Sequence, residues 1–363
     1  MNPRLTSSLF ALLRLALHID TTVAGKVLSE DDWNLLFHFA IKHNIVALVA
    51  DGIVHLPESQ RPPRKVWLRF CAEQARVEAR FNSQQQALSE LLRFFQQQGV
   101  PTMLLKGSTL AACYPRPSHR ESVDIDTYHF GEYRNADRLI SQTFDISIGN
   151  DAHHHTKYLF KGSMVEDHYD FVNIHTPRSN RQYEALLKSL AKESKEVKFS
   201  GYPVCVATPT FNALFLVRHL AGHFVAGQIT VRDLCDWRMF LNSYADQVDW
   251  QYVTRIYHQY NMYQFVGALQ GIIEDGLSQS PIQGLPRTSD TDLQNKIQHD
   301  ILNGSEVEPD FEAEDIRRIA WKVRRFKSNS WKYPIVYSDS LASIIISSLL
   351  SHLSKPKSII HKV

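Results

Sequence analysis

The tightest constraint on this chain comes from one stretch. Lys106-Gly107-Ser108 follows the short apolar run Val100 to Leu105, and Asp124-Ile125-Asp126 comes a few residues later. Gly99 and Pro101 open the run as a buried strand is opened, while Thr109 to Tyr114 has room for about two helical turns before Pro115 stops them. The order is therefore strand, turn, helix. Gly107 removes bulk where backbone amides approach an anion such as phosphate, and Ser108 is placed to cap the helix beginning there.

Side chains alternate along a strand, so Asp124 and Asp126 point one way and Val123, Ile125 and Thr127 the other. Two carboxylates held that close repel unless a cation lies between them. Magnesium, which takes one or two carboxylates plus phosphate oxygens, fits best. An isolated Asp-x-Asp is also compatible with a solvated strand face; the Gly-Ser turn upstream favours the metal reading. The next strand-like segment, Met164 to Ile174, offers a third acid. Its alternation puts Met164, Glu166, His168 and Asp170 on one face and Val165, Asp167, Tyr169 and Phe171 on the other. Acids lie on both faces, so the pattern leaves Glu166 and Asp167 as alternatives.

The run LLKGSTLAACYP, then Arg120, then VDID, then VEDHYDF resembles the signature of the uncharacterised bacterial nucleotidyltransferase family of the DNA polymerase beta-like superfamily. Gly107 and Ser108 match that family's phosphate-binding turn, Asp124 and Asp126 its first two metal-binding acids, and Glu166 its third. His168 and Tyr169 fall on its His and aromatic positions, whereas Asp167 stands where the family has an apolar residue. The resemblance implies an α+β fold, a small mixed β-sheet core flanked by N- and C-terminal helical subdomains. It also implies two-metal phosphoryl transfer with Mg2+ or Mn2+ from a nucleoside triphosphate, expected to be ATP. In that scheme Asp124 and Asp126 ligate both metals, and Glu166 completes the catalytic one and helps deprotonate an acceptor hydroxyl.

Lys106 and Arg120 lie close to the turn and the acids, where a cation neutralises charge on phosphates. A solvent-reaching lysine and a structural salt bridge are the alternatives. Further on, His219 and His223 share a helix face, yet Leu220 and Ala221 stand where a zinc hydrolase carries Glu after the first His, which favours packed histidines. In the resembled family a similar helix carries His, Arg and Asp toward the cleft, which makes His219, Arg232 and Asp236 candidates for nucleotide or acceptor contacts. An internal Arg-Asp ion pair fastening the helices accounts for the last two equally well. His153 to His155 cannot all face one ion from a regular strand and read as a loop or the start of a strand, lining the acceptor side if they act at all.

Length and composition bound the class. With 363 residues, 44% of them hydrophobic, the chain can bury a sizeable core. A formal charge of +2 argues against strong global attraction to nucleic acid. Cys71, Cys113, Cys205 and Cys235 are scattered without a C-x-x-C pair, as expected of reduced thiols in a cytoplasmic protein. Arg14 interrupts the apolar run Leu9 to Leu17, and no stretch reaches the roughly 18 apolar residues that span a bilayer.

Four segments are expected. Residues 1–98 form a helical subdomain, with Ser29 and Asp32 as a capping box, Trp33, Leu36, Phe37, Ala40 and Ile41 on one face, and a long helix from Lys65 to Gln98 ended by Gly99. Residues 99–206 form the catalytic core. Residues 207–310 are helical again, opened by Thr208 and Pro209. Residues 311–363 are a basic tail in which Arg317, Arg318, Lys322, Arg324, Arg325 and Lys327 cluster near Trp321, Phe326 and Trp331. Such a mixture suits RNA or an anionic membrane surface, with a solvated helix face as the default. The acceptor, whether small molecule, protein or RNA, has no signature here. A catalytically silent nucleotide- or partner-binding module and a toxin-like transferase acting on tRNA are the rival functions.

Overall fold

A computed structural model describes residues 2–19, 27–149, 154–304 and 315–354. Four helices come first: α1 (Pro3–Ala16), α2 (Glu30–Lys42), α3 (Val46–Val54) and α4 (Arg64–Gln97). Local chemistry sets their ends. Asn2 caps α1 through Leu5 N at 2.9 Å, with Pro3 in the first turn. Ser29 and Asp32 form the expected capping box of α2. Asn44 (φ 55°) and Gly99 (φ 69°) take the left-handed conformations that follow α2 and α4. Ile41, expected on the buried face of α2, is instead exposed.

The central region alternates strands and helices: β1 (Met103–Leu104), α5 (Lys106–Ala111), β2 (Asp124–Tyr128), α6 (Tyr133–Phe144), β3 (His155–Phe160), β4 (Ser163–His168), α7 (Asn180–Ala191), β5 (Lys195–Phe199) and β6 (Tyr202–Val206). The strands make one mixed sheet in the order β3-β4-β2-β1-β6-β5, with β2/β4 and β1/β6 parallel and the other pairs antiparallel. The chain is thus α+β, as expected. Helix α5 starts directly after β1, at Lys106, with Leu105 as its cap residue and no side-chain cap. Ser108 is therefore the third helical residue and not the cap, because the strand hands over to the helix three residues earlier than the spacing implied. The expected strand to Ile174 stops at His168, since Tyr169 N and Asp170 N both turn to the His154 carbonyl at 3.1 Å.

The C-terminal half is helical: α8 (Pro209–Ala226), α9 (Val231–Tyr244), α10 (Trp250–Gln259), α11 (Tyr263–Leu277), α12 (Thr291–Asn303), α13 (Asp315–Asn329), α14 (Tyr333–Val336) and α15 (Leu341–Ser354). Thr208 caps α8 with Pro209 in its first turn, as its sequence predicts. Two apolar cores result. The smaller lies behind the sheet, where Ile125, Val165, Tyr158, Leu104 and Val204 rest on α6 and on Ala87, Leu88, Leu91 and Phe95 of α4. The larger joins α1–α3, the first half of α4 and α8–α12 in one continuous cluster. The helices before and after the sheet thus share a single interior, packed by α1 against α3 and α11.

In the tail, Trp321 is buried and Trp331 is covered by Lys296 at 3.8 Å and by the buried Lys332, which pairs with Asp300 at 2.6 Å. The two tryptophans of the expected basic-aromatic surface are turned inward, while Arg324 and Lys327 stay exposed. Lys355 to Val363 and His153 lie outside the described residues. Among the described residues no single helix is long and apolar enough to cross a membrane.

Candidate active site

The parallel register of β2 and β4 builds the site. Asp126 stands directly across from Glu166 and Asp124 across from Met164, so three carboxylates share one face of the sheet. On β3, Lys157 stands opposite Glu166 and His155 opposite His168. Asp167 projects to the other face, fully buried, its carboxylate 3.5 Å from His129 Nε2. The pleat therefore puts Glu166, and not Asp167, beside Asp124 and Asp126.

Basic side chains surround this strip. Lys106 Nζ and His168 Nε2 each lie 3.1 Å from Asp126 Oδ1, and Lys157 Nζ lies 2.8 Å from Glu166 Oε1. Burial opposes ionisation of Asp126, but Lys106 and His168 outweigh it and hold its carboxyl well below the usual range. Burial, then the charge of Asp126, pushes Asp124 up to about 6. Glu166 is lowered overall, because His155, Lys106 and Lys157 together overcome its burial. Burial drives His155 down to about 3 despite the neighbouring Glu166.

Gly107 keeps the acids reachable. A Cβ there would sit 3.2 Å from Ser122 Oγ and 3.6 Å from Asp126 Oδ2, inside the space between α5 and the acids. The open side is a cleft of about 550 Å³. Its floor is the acid face of the sheet, and its opposite wall comes from His219, Gly222 and His223 of α8 and from Thr230, Arg232 and Asp233 at the start of α9. Both α8 imidazoles are kept neutral, chiefly by burial and also by the charge of Lys106. The far end is closed by Arg218, which bonds Asn180 Oδ1 and the Val336 carbonyl at 2.9 and 2.8 Å and lies over the Tyr337 ring at 4.4 Å.

Arg120 and Asp236 form a buried clasp, Nε to Oδ1 at 2.9 Å and Nη2 to Oδ2 at 2.8 Å, with the Tyr114 hydroxyl donating to the same Oδ1 at 2.6 Å. Both oxygens of Asp236 are thereby engaged, and its carboxylate ties α9 to the segment before β2. Arg232 bonds Asp233 and the Glu121 carbonyl at 3.1 and 3.2 Å. Arg120 keeps one buried nitrogen, Nη1, without a hydrogen bond. Arg120, Lys106, His219 and Arg232 line a recess of about 30 Å³ next to the cleft. The candidates Lys106, Gly107, Arg120, His219 and Arg232 thus converge. Ser108 is half-buried in the same helical turn, and Asp236 lines the recess but not the main cleft.

Sequence reasoning did not single out Lys157, Gly222, Arg218 or Tyr337. Only Gly222 left a signal, as a glycine inside a helical run between two histidines. Three carboxylates on one face form an oxygen donor set suited to a hard divalent ion, and the space preserved at Gly107 adjoins them.

A mixed sheet carrying an Asp-x-Asp strand, a Gly turn and a third acid in parallel register is an arrangement suited to nucleotidyl transfer. The profile of the family described as uncharacterised nucleotidyltransferase matches residues 29–275, from the capping residue of α2 almost to the end of α11, and the chain belongs to that family. Among solved structures the chain is similar to the antibiotic-resistance factor ANT(2'')-Ia, at 12% identity and a TM-score of 0.37 over 49% of this chain and 92% of that one. It is also similar to an antigenic nucleotidyltransferase-like protein from Paracoccidioides brasiliensis, at 12% identity and a TM-score of 0.32 over 57% and 95% of the two chains. No curated protein matches it.

Proposed function

We propose that this protein moves a nucleoside monophosphate from a nucleoside triphosphate, ATP in the first instance, to a hydroxyl or other nucleophile of an acceptor. The acceptor oxygen bonds to the α-phosphorus, the α–β phosphoanhydride bond breaks, pyrophosphate leaves, and the acceptor proton passes to a base or to water. The observation that carries the reading is the Asp126-Glu166 register with Asp124 alongside, opening onto a cleft rimmed by Lys106, Arg120 and Arg232. Asp124, Asp126 and Glu166 would hold Mg2+ or Mn2+, which when bound supplies Lewis-acid charge neutralisation on the phosphate oxygens. Lys106 and Arg232 offer fixed positive charge for the phosphates, and Gly107 and Ser108 start the helix that meets them. Glu166, 3.5 Å from His155, would also help to take the acceptor proton.

Calorimetric titration with ATP and with GTP, each with magnesium, tests this on the native protein and on the Asp124→Ala, Asp126→Ala double variant. Metal-dependent binding that disappears in the variant is expected. Binding that persists unchanged in the variant, or no binding by the native protein, would remove the site from nucleotide chemistry.

A further inference from the structure

His154, His155 and His168 stand together at the edge of the cleft, and the proposed transfer uses none of them as a ligand. We infer that their three imidazoles form a site for a borderline transition-metal ion of the Zn2+ class, beside the carboxylates. Consecutive residues in a strand cannot share an ion. Here only His155 belongs to β3, His154 precedes it, and the third ring arrives from β4.

The sheet fixes the pair at the centre: His155 and His168 are cross-strand partners on one face. His154 is held at the start of β3 by its carbonyl, which accepts the Tyr169 and Asp170 amides at 3.1 Å each. One nitrogen from each ring can be chosen so that all three lie within 4.8 Å of one another. The ring centroids are 4.5, 5.2 and 5.6 Å apart. Tetrahedral metal-nitrogen bonds of about 2.0–2.1 Å set imidazole centroids about 5 Å apart, so small ring rotations close the set.

A second observation points to a ligand. His155 is 6% exposed, yet neither of its ring nitrogens has a hydrogen-bond partner. A buried imidazole packed beside two other rings, with neither nitrogen hydrogen-bonded, lacks whatever completes it. His168 turns Nδ1 to the Asp170 carbonyl at 3.4 Å, and its Nε2 faces Asp126 Oδ1 at 3.1 Å and Glu166 Oε2 at 3.9 Å, so an ion taken by the three rings displaces Asp126 from that nitrogen. Glu166 lies 3.5 Å from His155 Nε2 and 3.9 Å from His168 Nε2, in place to be a fourth donor. Nitrogen donors select zinc, cobalt or nickel over magnesium, which keeps to oxygen.

The metal-stripped, nucleotide-free full chain is titrated with ZnCl2 by calorimetry, and with CoCl2 while visible absorption reports tetrahedral nitrogen coordination. One equivalent of zinc is expected, undiminished by excess MgCl2. The single variants His154→Gln and His155→Gln, checked for folding by circular dichroism, should each weaken zinc about tenfold or more. The Asp124→Ala variant, which touches none of the three rings, should retain it. Absence of zinc binding, binding unchanged in both folded histidine variants, or binding lost in the Asp124→Ala variant would each overturn the site. Titration of ATP with magnesium into the histidine variants keeps this outcome apart from that of the transferase reading.

Discussion

Asp126 owes its charge to two neighbours and not to solvent, since Lys106 and His168 both meet one of its oxygens. Gly222 shows the opposite economy. It lies inside α8, where glycine costs about 0.5–1 kcal/mol relative to alanine, and among the described residues nothing beyond its own stretch of helix lies within 4 Å of the Cβ it lacks. Packing therefore does not explain it, and the cleft does. Gly222→Ala is expected to raise the melting temperature, while Gly222→Leu weakens nucleotide binding without loss of fold, as thermal melts and calorimetry will show. Two other histidines set opposing pH dependences. Burial pushes His43 down to about 4, and its Nδ1 accepts the Val231 amide at 3.3 Å. Its contribution is complete above the unfolded value of about 6.5 and is lost as pH falls through 4. His119 is buried too, but Asp51 and Glu78, at 2.5 and 2.7 Å, raise it overall. That contribution is complete below about 6.5 and fades as pH rises through the raised value. His43→Gln should therefore lose less stability than the native protein between pH 7 and pH 4, measured by thermal midpoints across that range.

Among the elements, α9 is the one whose position decides the cleft, and the Arg120-Asp236 clasp fixes it to the segment before β2. Arg120→Ala leaves the buried Asp236 carboxylate with the Tyr114 hydroxyl and a looser Arg232 contact at 3.7 Å, and should cost about 3–5 kcal/mol in urea unfolding. Arg120→Met with Asp236→Leu removes both charges and should recover most of that loss. If the single variant costs nothing, the clasp is not what holds α9. The capping boxes of α2 and α9 were accessible to sequence reasoning to different degrees. Ser29 and Asp32 stand at the right spacing before an apolar stripe, whereas Thr230 and Asp233 serve both as a cap and as part of the cleft wall, and only the second role needs the fold. The alternation of β2 was legible in the same way, because Asp-x-Asp obeys a period of two whatever surrounds it. The choice between Glu166 and Asp167 was not, because both lie on one strand and only pairing with β2 says which face is which. Ser108 failed as a cap for a related reason: the end of β1 is set by its partners and not by Gly107.

At the scale of the molecule, residues before and after the sheet contribute to one interior, with Trp33 of α2 and Trp237 of α9 both buried in it. The chain should unfold in a single step, tryptophan fluorescence and circular dichroism giving coincident denaturant curves; separate transitions would divide it at the sheet. This union was invisible in the sequence, which shows helical stripes around residues 33–41 and 209–225 but not that they face each other. The convergence of His219 and His223 on the acids has the same origin, since it depends on how α8 crosses the sheet. Helix α4 belongs to both cores, Val66 and Phe70 to the larger and Leu88 to Phe95 to the smaller. On the ribosome that second half is finished long before its last partner, Val204 of β6, which follows more than a hundred residues later. At about 5–20 residues per second, a greasy helical face waits for roughly 5–20 seconds of synthesis before it is fully covered. The burden of keeping this protein from aggregating therefore falls on the nascent chain, and a chaperone that holds apolar helices is the assistance its biogenesis calls for.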